Sequence, residues 1–345
     1  MTTVSLMDAN WTEVLVERWG QAVRLNEPMA QHTSYRIGGS AEALLNVDCA
    51  DELCEAVQWA RRLKVSHYVI GQGTNLLVAD SGMRGLVIVN RCSTYTLTAG
   101  GDYATVFVES GVPLAVLARR LNAAGWAGLE WAAGIPGTVG GAVVGNAGAF
   151  GYDMSDSITK VLVLEPNGER REVPAAELRF KYRSSCFKEE YGRSWRRVVL
   201  GAELTLKRGQ PEELARMAEE VLQARKRTQP LRYPSAGSVF KNPPLDHAGR
   251  LIQAAGLKGA RIGDAQVSLK HANFIVNCGT ATASDVLQLI ELIRRTVKEQ
   301  FNQELDLEIV YVGSHLQPAR SERKLGDDEL KTRTRCCSSM RSVLR

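Results

Sequence analysis

Two glycine-rich stretches constrain this chain more than any other feature. The first is Gly71-Gln72-Gly73-Thr74-Asn75; the second begins Gly134-Ile135-Pro136-Gly137-Thr138-Val139-Gly140-Gly141 and runs through Gly145, Asn146 and Gly148 to Gly151. Glycine has no Cβ, so its backbone turns sharply and other atoms can lie directly against its amides. Consecutive exposed N–H groups form a concave nest for anionic oxygens. The seven glycines from Gly134 to Gly151, interleaved with Ala, Val and Asn, cost too much backbone entropy for a strand or a stable helix, so this stretch is expected to be irregular. Two nests in one chain predict an extended ligand with two phosphates, which fits a dinucleotide. Neither stretch is a standard nucleotide motif. The first lacks the Gly-Lys-Ser/Thr ending of a Walker A loop, and it lacks the third glycine and following helix of the Rossmann fingerprint.

Periodicity places the elements around these loops. Leu53, Val57, Ala60 and Leu63 recur at helical spacing over 50–64, and the apolar strand Tyr68-Val69-Ile70 runs into the first loop. Leu76-Leu77-Val78 and Leu86 to Val89 read as strands. Further on, 103–110 alternates as a strand does, and 113–124 reads as a helix with Pro in its first turn and Gly125 beyond its end. Val161 to Leu164 and Arg170 to Val173 flank the turn signal Pro166-Asn167-Gly168, and Val198 to Leu206 follows as a strand. Pro211 to Arg227 reads as a helix with acids first and bases last, matching its dipole. After it come helix 248–255, strand 274–276, helix 283–301 and strand 305–312. The resulting division is 15–90, 91–210, 211–313 and a basic, disordered tail over 314–345.

At 345 residues, with 44% hydrophobic and 23% charged residues, the chain can bury a full core. It has no apolar run of the ~20 residues that crosses a bilayer, and its start lacks the layout of a secretion signal, so no membrane and a cytoplasmic location are expected. The seven scattered cysteines fit reduced thiols. The net charge of +5 lies largely in the tail, and the aromatic residues show no stacking pattern, so no nucleic-acid partner is expected. The five histidines are dispersed without metal-ligand spacing, so no metal is expected.

Three side chains stand out chemically. Ser238 follows a glycine in Ser235-Ala236-Gly237-Ser238-Val239-Phe240-Lys241-Asn242-Pro243, outside any Gly-x-Ser-x-Gly elbow; it reads as a turn serine or as a proton donor to a carbanion. Arg183 sits in Tyr182-Arg183-Ser184, as a surface or a functional arginine. Glu308 interrupts the apolar run Leu305 to Val312, as an edge carboxylate or one with a shifted pKa. His271 reads as a ligand or a structural imidazole.

These segments resemble, in order, the UDP-N-acetylenolpyruvoylglucosamine reductase family. The matching stretches are Thr33-Ser34-Tyr35-Arg36-Ile37-Gly38-Gly39, Gly71 to Asp80, Gly128 to Gly151, Tyr182-Arg183-Ser184, Ser235 to Pro243, Ala248 to Gly259, Ser268 to Asn277 and Leu307 to Gly313. The resemblance implies an α+β fold: two α/β FAD-binding subdomains of the vanillyl-alcohol-oxidase (PCMH) type plus a third α/β substrate-binding domain. It implies a two-step reaction, in which NADPH reduces FAD and the hydride then passes to the terminal carbon of an enolpyruvyl ether on a UDP-sugar. On that pattern Arg36, Gly71, Gln72, Gly73, Thr74, Asn75 and Leu76 bind the cofactor, with Gly134, Ile135, Pro136, Gly137, Thr138, Gly140, Gly141, Asn146 and Gly148. Arg183, Ser238 and Glu308 are the catalytic set, Ser238 as the proton donor. Tyr182, Arg227 (or the adjacent Lys226), Lys241, Asn242 and His271 touch the substrate. The short connections Glu189 to Arg197 and Lys207 to Gln210 resemble the shorter form of the family, without the inserted tyrosine loop. A small-molecule substrate and a monomer are expected. A flavin oxidase of the same fold is the alternative; it leaves the Ser238 segment unexplained, and the chain has no His or Cys motif for covalent flavin attachment.

Overall fold

The computed structural model describes residues 10–190 and 196–313. The basic tail and residues 191–195 of the first short connection lie outside the described residues.

The first segment runs α1 (Trp11–Trp19), β1 (Val23–Pro28), β2 (Ser40–Val47), α2 (Ala50–Arg62), β3 (His67–Ile70), β4 (Leu76–Val78) and β5 (Met83–Asn90). Its sheet has the order β1-β2-β5-β3, with β5 parallel to both neighbours and β1 antiparallel at one edge. Parallel strands need a crossover, and α2 supplies it between β2 and β3. Both faces of the sheet are covered, which explains the near-continuous apolar runs of β2 and β5. Leu45, Val47, Leu86 and Ile88 pack under Leu53, Val57 and Ala60 of α2. Leu44, Val87 and Val89 face Met29 and Val78 on the other side. Elements α1, β1 and β2 add to those expected from the sequence.

The middle segment comprises β6 (Tyr95–Gly100), β7 (Tyr103–Glu109), α3 (Leu114–Ala123), β8 (Trp126–Ala127), α4 (Val139–Gly145), β9 (Gly148–Ala149), β10 (Tyr152–Asp153), β11 (Ile158–Leu164), β12 (Arg170–Pro174), α5 (Cys186–Glu189) and β13 (Val198–Arg208). Its sheet, ordered β12-β11-β13-β7-β6 with β8 on the end of β13, is antiparallel throughout. Ala104, Val106 and Val108 of β7 alternate inward, beneath Leu117 and Leu121 of α3 and Val139 and Val143 of α4.

The last segment holds α6 (Pro211–Thr228), α7 (Ala248–Ala254), β14 (Arg261–Ile262), β15 (Ala265–Val267), β16 (Ile275–Asn277), α8 (Ala283–Phe301) and β17 (Val310–Val312). β14-β15-β16 form a small antiparallel sheet under α8. β17 pairs in parallel with β4, far away in sequence. Tyr35 is fully buried in this last core and donates its hydroxyl to the Ile275 carbonyl at 2.9 Å. The Asp80 carboxylate caps α8, accepting from the Ala283 and Ser284 N–H groups at 2.7 and 2.9 Å, where the helix dipole favours an anion.

Two expectations are corrected. The second glycine run is not irregular throughout, because α4 forms inside it. Thr138 caps α4 by accepting from the Gly141 N–H, and burial of Val139, Ala142 and Val143 outweighs the poor helix propensity of glycine. The strand expected over 305–312 contracts to β17. Glu308 instead lies in an extended link: its N–H donates to the Val239 carbonyl at 2.9 Å and its carbonyl accepts from Asn75 Nδ2 at 3.1 Å.

His67 yields a stability prediction. Its Nε2 is buried without a partner among the described residues. Burial first, then the charges of Arg196 and Arg61, push the imidazole down to about 4. The neutral form is favoured in the fold, so its stabilisation is complete above the ordinary value of 6.5 and is lost as pH falls through about 4. Between pH 7 and pH 4 this side chain should cost roughly 2–4 kcal/mol of unfolding free energy. Urea titrations should show that share of the acid sensitivity gone in His67→Leu; an unchanged pH slope would refute the assignment.

Candidate active site

The two glycine loops pack directly on each other. Gln72 Oε1 accepts from the Gly137 N–H at 3.1 Å, and the Thr74 hydroxyl reaches the Pro136 carbonyl at 3.5 Å. A Cβ at Gly71 would stand 2.4 Å from Thr138 Oγ1, and one at Gly137, whose φ is +109°, would stand 2.8 Å from Thr74 Oγ1. The amides of residues 71–75 find no acceptor among the described residues. A row of unpaired N–H groups at a loop-on-loop seam fits the diphosphate of a dinucleotide cofactor. Gln72 and Pro136 are exposed here, and Gly71, Thr74, Asn75, Gly134, Ile135 and Gly137 half-buried. Leu76 pairs with Val310 in the β4–β17 register. Arg36 is exposed at a φ of +55°.

Beside this seam lies an ion pair. Arg183 Nε donates to Glu308 Oε1 at 2.9 Å, and its Nη2 donates to the Gly148 carbonyl at 2.6 Å. The guanidinium also stands 5.1 Å from the centroid of the exposed Tyr182 ring. Glu308 is held at its backbone by Val239 and by Asn75 of the first loop, so it touches the seam and the Ser238 segment together. Burial pushes the Glu308 carboxyl above the ordinary carboxylate value, against the pull of Arg183, Lys188 and Lys241. A carboxyl in that state holds a proton more readily than an ordinary glutamate.

Ser238 is half-buried and follows Gly237 at a φ of +79°. Its hydroxyl has no partner among the described residues. The buried Asn273 fixes the strand beyond it: its Oδ1 accepts from the Phe240 N–H at 3.0 Å, its Nδ2 donates to the Phe240 carbonyl at 2.8 Å, and its own carbonyl accepts from the Val239 N–H at 2.8 Å. The next residue but one, Lys241, faces Glu308. Arg183 and Glu308 are joined directly, and the Glu308 N–H bonds to the carbonyl of Val239, the residue that follows Ser238.

Other expected site residues have structural work. Asn146 is buried, and its side chain donates to Asp153 and to the Lys181 carbonyl and accepts from the Ser155 N–H. Gly140 is buried against Ser110, where a Cβ would come within 2.7 Å, so it lacks a side chain because of the protein's own packing. Gly73 owes its lack of a Cβ to the His32 carbonyl, 2.1 Å from where one would sit. Asn242 Oδ1 accepts from the Ala248 N–H at 3.1 Å, at the start of α7. His271 Nδ1 accepts from the Asn273 N–H at 3.2 Å and its ring packs edge-on to Phe274. Arg227 is exposed in the last turn of α6, and the neighbouring Lys226 carbonyl accepts from Lys270 Nζ. Gly141 remains exposed, and a Cβ there would meet Thr138 Oγ1 only at 3.7 Å. Lys188 and Asn273 escaped the sequence reading as site residues; Asn273 lay within a matching stretch, but a lysine on a four-residue helix carries no signal.

The seam can be tested at its tightest point. Gly71→Ala should weaken FAD binding by at least about tenfold, near 1.4 kcal/mol, read from quenching of flavin fluorescence on titration. Thr138→Ala in the same chain should recover part of the loss. An unchanged affinity in Gly71→Ala would show that the loop contact is not part of the cofactor site.

An FAD-binding domain model matches residues 41–173, and a model for the C-terminal domain of UDP-N-acetylenolpyruvoylglucosamine reductase matches residues 229–312. The UDP-N-acetylenolpyruvoylglucosamine reductase of Chloroflexus aggregans is 46% identical over 287 residues, 83% of this chain and 96% of its own. That of Caldanaerobacter subterraneus subsp. tengcongensis is 44% identical, over 87% of this chain and 99% of its own. The crystal structure of the Thermus caldophilus enzyme aligns with a TM-score of 0.70 at 38% identity, covering 84% of this chain and 97% of that one. An FAD-binding domain followed by that C-terminal domain, matched over nearly the full length of the relatives, means that this chain belongs to the UDP-N-acetylenolpyruvoylglucosamine reductase family, a family of oxidoreductases.

Proposed function

We propose that the protein is an NADPH-dependent flavoenzyme that reduces the enolpyruvyl ether of UDP-N-acetylglucosamine to UDP-N-acetylmuramate, a step of peptidoglycan precursor synthesis. The observation that carries this reading is the Arg183–Glu308 pair set where the two glycine loops and the Ser238 segment converge. FAD, when bound, supplies the hydride carrier, with NADPH as the electron donor. The loop amides of 71–75 and the face of 134–138 would hold it.

The remaining chemistry falls to side chains of this chain. Hydride addition at the terminal carbon of the enolpyruvyl group leaves negative charge on the neighbouring carbon, shared with the carboxylate. Arg183 offers a planar fork to that carboxylate and opposes the growing charge. Glu308, with its raised proton affinity, stabilises the enolic form by a shared proton. Ser238 Oγ gives its proton to the carbon, and solvent restores it. Lys241, Tyr182 and the end of α6 at Arg227 are the proposed substrate contacts. The three-way division at 90 and 210, a monomeric state and a cytoplasmic location belong to the same reading. Among the described residues no helix is long and apolar enough to cross a membrane, and no cluster of His, Cys, Asp and Glu could hold a metal ion.

Half-reaction kinetics test the reading. In Ser238→Ala, bleaching of the flavin by NADPH should stay near normal, while its recovery on adding the enolpyruvyl sugar nucleotide should slow by about 10²-fold or more, the scale of a general acid. Equal losses in both halves would make Ser238 structural. Arg183→Ala should slow the same half and also raise the substrate concentration it needs; an unaltered second half would remove Arg183 from the site. Rapid recovery in air, with no response to the sugar nucleotide, would point to an oxidase instead.

A further inference from the structure

We propose that Lys188 is a positioning residue for the second half-reaction: its ammonium holds the Arg183 carbonyl and so aims the Arg183 guanidinium at Glu308. The inference rests on the reductase reading above.

Arg183 occupies an awkward place. Lys181 and Ser184 exchange two backbone hydrogen bonds of 3.0 Å, leaving Tyr182 and Arg183 alone at the corner of a tight turn. Arg183 has a φ of +53° there, the left-handed region that a turn normally gives to glycine. Such a residue costs about 1–3 kcal/mol and persists only where its surroundings hold it. Two side chains do so. Asn146 Nδ2 grips the Lys181 carbonyl at 3.1 Å, and Lys188 Nζ donates to the Arg183 carbonyl at 3.2 Å.

Lys188 reaches back from a firm base. Its N–H donates to the Ser185 carbonyl, Ser185 Oγ ties α5 to the Val144 carbonyl at 2.7 Å, and the neighbouring Cys186 and Phe187 are buried. A lysine with ordinary surface duties would keep its ammonium in water. This one is half-buried, and its hydrogen bond among the described residues goes to the Arg183 carbonyl. The charged groups that face it are Lys241 and Arg183, which repel it, and Glu308, which attracts it. Burial first, then Lys241, makes its proton easier to lose than an ordinary lysine's. The fold retains a costly cation whose hydrogen bond goes to the strained residue of the turn.

The test uses the FAD-loaded enzyme with Lys188→Met and Lys188→Arg, followed by stopped-flow absorbance in both half-reactions. Lys188→Met should leave flavin reduction by NADPH within about twofold and slow reoxidation by the enolpyruvyl sugar nucleotide by about 10- to 100-fold, the scale of a small misplacement. The loss should fall on the rate more than on KM. Lys188→Arg should restore most of the rate, because its guanidinium reaches the same carbonyl. The pH profile adds a second readout. The wild-type rate should fall on the alkaline side below the ordinary lysine range, as the amine loses its proton, and in Lys188→Arg that limb should move to higher pH. Reoxidation unchanged in Lys188→Met, or equal slowing of both halves, would overturn the role. Should the Met variant fail to fold, an alkaline limb unmoved in Lys188→Arg would overturn it. A wild-type enzyme that ignores the sugar nucleotide would sink the reductase reading itself.

Discussion

The pairing of Arg183 with Glu308 is the interaction on which the site depends. Their side chains are about one-fifth exposed, and the charged atoms stand 2.9 Å apart. An ion pair taken this far from water gains attraction but loses hydration, and the balance is weak evidence for stability. Here the balance is visible on Glu308, whose proton affinity rises despite three nearby cations. Burial outweighs the cations, so the carboxyl holds a proton more readily than an ordinary glutamate. A structural salt bridge would not need that shift, nor a left-handed arginine to make it.

The pair joins residues 125 positions apart, and the fold accomplishes this by stitching its last segment to its first. β17 lies alongside β4, Tyr35 is pinned in the core of the last segment, Ser34 Oγ donates to the Ser235 carbonyl at 2.8 Å, and Asp80 caps α8. Asn75 then carries the Glu308 backbone directly from the first glycine loop. On the other side, Gly148 holds Arg183 from the end of the second loop. Each loop thus delivers one half of the ion pair, and the Gln72–Gly137 contact sets the spacing between the loops. A disturbance at the seam reaches the pair through one residue on either side.

Much of this was legible in the sequence because it depends on local chemistry. α8 was read with its true bounds, since its apolar stripe and its Thr282–Asp285 capping box lie within one stretch of chain. Glu308 stood out because a carboxylate among apolar neighbours is locally odd, whereas Arg183 was singled out through the family resemblance. Other features depend on distant parts of the chain. α4 is a poor helix by composition and exists because Val139 and Val143 are buried under a sheet formed elsewhere. Glycine is the more instructive case. The sequence shows that something comes close to Gly73 and Gly140 but not what; where a Cβ would sit, it is the His32 carbonyl and Ser110. The structural partners of Asn146 were likewise hidden, because they lie at 153, 155 and 181.

The charge balance at the site says how it would respond to its substrate. Arg183, Lys188 and Lys241 surround a single carboxyl, so the site carries surplus positive charge and is ready for one more anion. A substrate carboxylate arriving at the Arg183 fork would divide the guanidinium's donors between two acids. Like charges so close raise the proton affinity of at least one of them, and on the proposed reading Glu308, already raised by burial, would be the group to take up the proton. On that reading Glu308 would be the partner of Arg183 before the substrate arrives and a hydrogen-bond donor afterwards. The same burial that weakens the resting pair prepares the carboxyl for the second role, and a more exposed glutamate at position 308 would be a better salt bridge and a poorer proton-holding group.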